Sequence, residues 1–138
     1  MSQVCFEKPI TATRDKILFA NADLIDRLLR NVREDEAYEE GESRPSLDVI
    51  KAASLRLSLL PAFFRRTFEV HPYFGEINVT WQNRANSTRV KAIFGPAANS
   101  FRLYCEQMLL DRVTNRELIS HATQNEFLER LVRLYSAA

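Results

Sequence analysis

Apolar positions along this chain recur in two rhythms, and the switch between them divides it into elements. Ile17, Leu18, Leu24, Ile25, Leu28, Leu29 and Val32 are spaced by three, four and seven, the stripe of a helix capped by Thr13 and running over 13–38. A second helix is capped at Ser46, faces inward with Leu47, Ile50, Ala53, Leu57 and Leu60, and stops at Pro61, which lacks the amide needed to continue. Beyond it the period falls to two. Ile77, Val79 and Trp81 alternate with Asn78, Thr80 and Gln82; Val90, Ala92 and Phe94 with Arg89, Lys91 and Ile93; Phe101, Leu103 and Cys105 with Arg102, Tyr104 and Glu106. Such alternation predicts antiparallel strands with one buried face. Thr123 and Glu126 have capping-box spacing and open a last helix whose apolar face is Phe127, Leu128, Leu131, Val132, Leu134 and Tyr135.

The expected fold is α+β, three helices packed on one face of a three- or four-stranded antiparallel sheet in the order α-α-β-β-β-(β)-α. The fourth strand falls within either Met108–Val113 or Glu117–His121, and Phe63–Val70 reads as a connector. The 138 residues form a single domain: an extended arm at 1–12, the first helix at 13–38, an acidic loop at 39–45 and a helix-sheet-helix core at 46–138. Turn-rich Asn83–Ser87 and Gly95–Asn99 join the strands.

Composition narrows the setting. Cys5 and Cys105 are too few and too distant for a disulfide framework, and no apolar run reaches membrane-spanning length, so the expectation is a cytoplasmic protein with reduced thiols and no membrane contact. With two histidines and two cysteines at no ligand spacing, neither a metal nor a cofactor is expected. The net charge of +1 conceals an asymmetry. Residues 1–45 hold 7 Lys/Arg against 10 Asp/Glu, whereas 46–104 hold 8 against 3. The central helix and sheet therefore carry a modest positive field.

Known catalytic signatures are missing: no phosphate loop, dinucleotide fingerprint or nucleophile elbow is present, and three glycines do not readily supply one. His71 and His121 are the candidates for a dispersed enzyme site, each more simply read as a surface histidine. Cys105 belongs to an inward-facing set and reads as a small core residue, and Trp81 as a core side chain whose indole N–H meets a carbonyl or water at the rim. The outward sheet face is the better candidate. Arg89, Lys91, Arg102 and Tyr104 make it basic and polar, suited to a protein partner or to nucleic acid if it is not simply solvated. The run Glu34, Asp35, Glu36, Glu39, Glu40 and Glu42 is a second candidate contact, an acidic segment that also opposes the dipole of the helix it ends.

Pro45-Ser46-Leu47-Asp48 with its alanine-containing helix, Leu59-Leu60-Pro61, the strand Gly75-Glu76-Ile77-Asn78-Val79-Thr80-Trp81 and a later strand bearing Tyr104 together resemble a group of small uncharacterised bacterial α+β proteins. The similarity spans about 60 residues of structural punctuation, and the Phe63-Phe64-Arg65-Arg66 insert departs from it. Such proteins often occur in mobile or defence-associated contexts. The resemblance implies an interaction partner and not catalysis, and the missing catalytic motifs, the exposed Arg/Tyr face and the acidic segment suggest an inhibitor, immunity or antitoxin-like role. The expectation is thus a non-enzymatic protein-interaction module, with nucleic-acid binding and a small dispersed-site enzyme as alternatives; an uncovered sheet edge leaves homodimerisation open.

Overall fold

The computed structural model describes residues 22–35, 38, 41–65, 68–85 and 87–136. Two helices, α1 (Ala22–Glu34) and α2 (Leu47–Ser58), precede a 3-10 turn at Ala62–Arg65. Five strands follow: β1 (Glu69–Tyr73), β2 (Glu76–Asn83), β3 (Thr88–Phe94), β4 (Phe101–Leu109) and β5 (Arg112–Ile119). Helix α3 (Gln124–Ser136) closes the chain. The strands form one antiparallel meander in the spatial order β1-β2-β3-β4-β5. The α+β class and the sheet with helices on one face are as the patterning predicts, but among the described residues the strands number five.

Two of the five were not legible. β1 lies partly in the stretch expected to be a connector; Pro72 sits mid-strand, tolerable because β1 is an edge. At the other edge the two alternatives for the last strand merge into one hairpin. β4 continues to Leu109, the turn is Leu110-Asp111, and β5 takes up Arg112–Ile119. Both turn residues have positive φ, 54° and 63°, where asparagine and glycine are the usual occupants. A leucine and an aspartate there gave no turn signal.

Helix boundaries follow their caps. Ser46 Oγ accepts from the Val49 amide at 3.1 Å, and Thr123 and Glu126 exchange side-chain-to-backbone bonds at 2.9 and 3.1 Å. The first helix ends at Glu34, short of the expected Tyr38. Its C-terminal carbonyls are met by a cation from the next segment: the Arg44 guanidinium donates to the carbonyls of Arg33 and Asp35 and lies 4.2 Å over the Tyr38 ring. The arm at 1–12 and the helix start at 13–21 lie outside the described residues.

The core lies between the helices and the inner sheet face. Ile77, Val79, Trp81, Ala92, Phe94 and Leu103 from the strands meet Ile25, Leu29, Ile50, Leu57, Phe127 and Leu131 from the helices, all essentially inaccessible. Trp81 joins three elements. Its Nε1 donates to the Phe64 carbonyl at 2.9 Å, and its ring meets Phe127 edge-on at 5.5 Å and Phe68 at 5.7 Å. Phe101 continues the cluster, stacked on Phe94 at 5.0 Å and edge-on to Phe127 at 5.2 Å. Gly95 closes the opposite end of the core: a Cβ there would lie 3.0 Å from the Gly75 carbonyl oxygen and 3.2 Å from Val49.

Replacing Trp81 by phenylalanine orphans the Phe64 carbonyl and leaves a void. The variant is expected to lose about 3 kcal/mol of stability in a denaturant titration, with its transition midpoint lowered. A loss below about 1 kcal/mol would show that the indole is not the joint described.

Candidate functional site

The face of the sheet opposite the helices is covered by no described element, and the sequence-predicted residues converge on it. Register places them in cross-strand rows. One row runs His71–Asn78–Ile93–Arg102, the next Glu69–Thr80–Lys91–Tyr104–Leu118, the third Gln82–Arg89–Glu106–Arg116. Arg89, Lys91, Arg102 and Tyr104 thus share one surface, as strand alternation requires.

That surface is not a field of free cations. Glu106 is only 8% exposed although it sits on the outer face, because Arg89 and Tyr104 cover it. The Arg89 guanidinium is ion-paired to one carboxylate oxygen, and the Tyr104 hydroxyl donates to the other at 2.8 Å. This bond to Glu106 is the main reason that the Tyr104 phenol is raised above its ordinary value, with burial adding to it. Arg102 donates to Glu76 at 2.5 Å and to the Gly95 carbonyl at 3.2 Å. Lys91 makes no ion pair among the described residues and lies 5.8 Å from the centroid of the Tyr104 ring. Sequence reasoning placed Glu106 in an outward-facing position but missed its pairing with Arg89, and it did not weigh Glu76 as a partner of Arg102. The signal lies in the cross-strand register of β2, β3 and β4, which the alternation within each strand does not by itself fix.

Another cation of residues 46–104, Arg56, lies apart from the cluster. Arg56 belongs to α2, where it packs 4.2 Å over the Phe101 ring and exchanges hydrogen bonds with Gln124 at 3.2 and 3.0 Å. Within the acidic segment, Glu34 pairs with Arg33, and Asp35 and Glu42 are described; Glu36, Glu39 and Glu40 lie outside the described residues.

The dispersed-enzyme candidates are not brought together. His71 is exposed on β1, 3.5 Å from Glu69, whereas His121 follows β5 at the other edge, four strand spacings of about 4.8 Å away. Cys105 is half-buried on the inner face, its thiol pushed up first by burial and then by Glu117, the reverse of activation. Cys5 lies outside the described residues. A cleft of about 320 Å³ between α3 and the ends of β3–β5 is lined by Cys105, Glu117 and Arg130 among others. Of the arginines that line it, Arg130 is already engaged: its Nε and Nη2 each donate to the Glu117 carboxylate at 2.9 Å, which holds that carboxyl below its usual range. Among the described residues no three histidine, cysteine or acidic side chains converge as a metal site, and no helix is long and apolar enough to cross a membrane. Searches against protein-family models, curated proteins and solved structures found no match.

Two measurements check this geometry. Glu106→Gln is expected to cost about 2 kcal/mol of stability and to bring the Tyr104 phenol back toward its ordinary titration, read by phenolate absorbance. An unmoved phenol would refute the hydrogen bond. For Glu117, a depressed folded pKa contributes stability that is complete above the ordinary carboxylate range and disappears as pH falls through the depressed value. Arg130→Met should therefore flatten the acid limb of a stability–pH profile, and an unchanged limb would dismiss the pairing.

Proposed function

We propose that this chain is a non-enzymatic protein-interaction module whose contact surface is the outer face of the sheet. The observation that supports it is the Arg89–Glu106–Tyr104 cluster at the centre of that face. The cluster fixes an aromatic and a guanidinium before any partner arrives, so binding loses little side-chain freedom. Tyrosine and arginine held in this way have the character of interface hot spots. Phosphate capture, by contrast, needs guanidinium groups whose charge is not already matched, and Arg89 and Arg102 each have a carboxylate. The role suggested by the resemblance to small bacterial proteins of mobile and defence contexts, an inhibitor, immunity or antitoxin-like component working in the cytoplasm, belongs to the same reading.

Nucleic-acid binding is the second reading, favoured by Lys91, Arg112 and Arg116, which have no ion pair among the described residues. The two readings separate in one experiment. Protein captured from the native host with the intact chain should fall about tenfold or more with Tyr104→Ala at unchanged thermal stability. The intact chain should show no salt-sensitive retention on immobilised RNA or DNA. Undiminished capture by Tyr104→Ala would overturn the protein-docking assignment. Retention on nucleic acid that falls steeply with salt would favour the second reading.

A further inference from the structure

The two edges of the sheet differ in a way that bears on how a partner attaches. β1 is five residues long and carries Pro72, two devices that blunt an edge. β5 is eight residues long, contains no proline or lysine, and is exposed on both faces up to Ile119. Its backbone polarity follows from the β3–β4 ladder. The Met108 amide donates to the Ser87 carbonyl at 2.9 Å and the Gly95 amide to the Ser100 carbonyl at 3.1 Å, so even-numbered β4 residues turn their backbone groups toward β3. Odd-numbered Leu103, Cys105 and Gln107 then face β5 and meet Ile119, Glu117 and Asn115. Arg116 and Leu118 consequently point their N–H and C=O groups away from the sheet, and no described group meets them.

The side chains beside this open ladder state what it fits. Leu118 is 58% exposed on the outer face next to Tyr104, and Arg116 follows it in the adjacent row. Among the described residues Arg112 and Arg116 have no ion pair, and a second β5 laid antiparallel in the register that centres on Arg116 would set that arginine against its own copy. Like charges directly across a ladder are destabilising. That register is opposed by charge, whereas a strand with a carboxylate opposite Arg116 is favoured by it.

We propose that the β5 edge takes up an extended segment of another protein as a sixth strand, through the backbone of Arg116 and Leu118. The segment presents a carboxylate opposite Arg116 and an apolar side chain opposite Leu118. This rests on the protein-interaction reading above and specifies its mode. Backbone bonds supply sequence-independent affinity in such strand addition, and alternate side chains supply selectivity.

The test uses the full chain and a short synthetic peptide with glutamate and leucine alternating on one face and threonine between, against a counterpart with lysine for glutamate. The acidic peptide is expected to bind about threefold or more tightly than the basic one and to shift the amide resonances of Arg116 and Leu118. Arg116→Pro removes one outward N–H, leaves the β4 ladder intact, and should weaken the acidic peptide about tenfold. Arg116→Glu, which keeps that N–H, should reverse the preference. Equal binding of both peptides, no binding of either, or concentration-dependent dimerisation that Arg116→Pro abolishes would each overturn the proposal. So would displacement of residues 1–12 of the same chain from the edge, seen as new exchange at Arg116 and Leu118 in a variant lacking them. If the docking face is wrong, Tyr104→Ala leaves host capture undiminished, whereas peptide addition at the β5 edge does not depend on Tyr104, so the two readings fail separately.

Discussion

The Trp81 indole is the joint on which the architecture depends. A five-stranded sheet with one solvated face must bury its other face entirely from the helix side, and no helix here is long enough to do that alone. Trp81 solves the geometry by contacting α3 through Phe127 and the 3-10 turn through the Phe64 carbonyl while standing on β2. The buried polar atom is satisfied, so the largest side chain in the core has no desolvation debt. Phe101 and Phe94 extend the same aromatic packing toward β3 and β4, which is how one residue's position is transmitted across three strands.

With the inner face committed to packing, chemistry was left to the outer one, and there the meander topology decides what neighbours what. Sequential hairpins put Arg89 opposite Glu106 and bring Arg102 within reach of Glu76 two strands away. Each arginine therefore acts mainly on a neighbour in its own sheet. The result is a patterned surface with a buried carboxylate near its middle, and with Lys91 on β3 and two arginines on β5 as its cations without an ion pair among the described residues. A count of charges along the chain cannot distinguish that arrangement from a uniformly basic face, because Glu106 lies outside the central segment where the basic excess is greatest.

The helices with capping residues and the three strands with clean alternation were readable because each rests on local rules: a hydroxyl before an apolar stripe, a proline after it, a period of two. Those rules fail where tertiary context takes over. β1 contains a proline and reads as polar because it is an edge lying along α1. β5 lacks alternation because neither of its faces is fully buried, so nothing selects apolar residues at every second position. The Leu110-Asp111 turn adopts a backbone conformation that its residues do not advertise. The candidate surface was legible as a set of residues, since alternation alone puts Arg89, Lys91, Arg102 and Tyr104 on one side. Its internal pairing was not, because a one-residue change in register would have exchanged every partner.

The connector between the first two helices has a further consequence. Arg44 holds the end of α1 by its carbonyls, Arg33 donates back to the Pro45 carbonyl at 2.8 Å, and the Ser43 carbonyl accepts from the Gly75 amide in the β1–β2 turn at 2.9 Å. Three consecutive residues thus tie the last turn of a helix to a hairpin more than thirty positions later. Opening that hairpin releases the helix end, and fraying the helix end frees the hairpin. α1, the connector and the β1–β2 turn are therefore coupled through these bonds, at the edge of the sheet remote from β5.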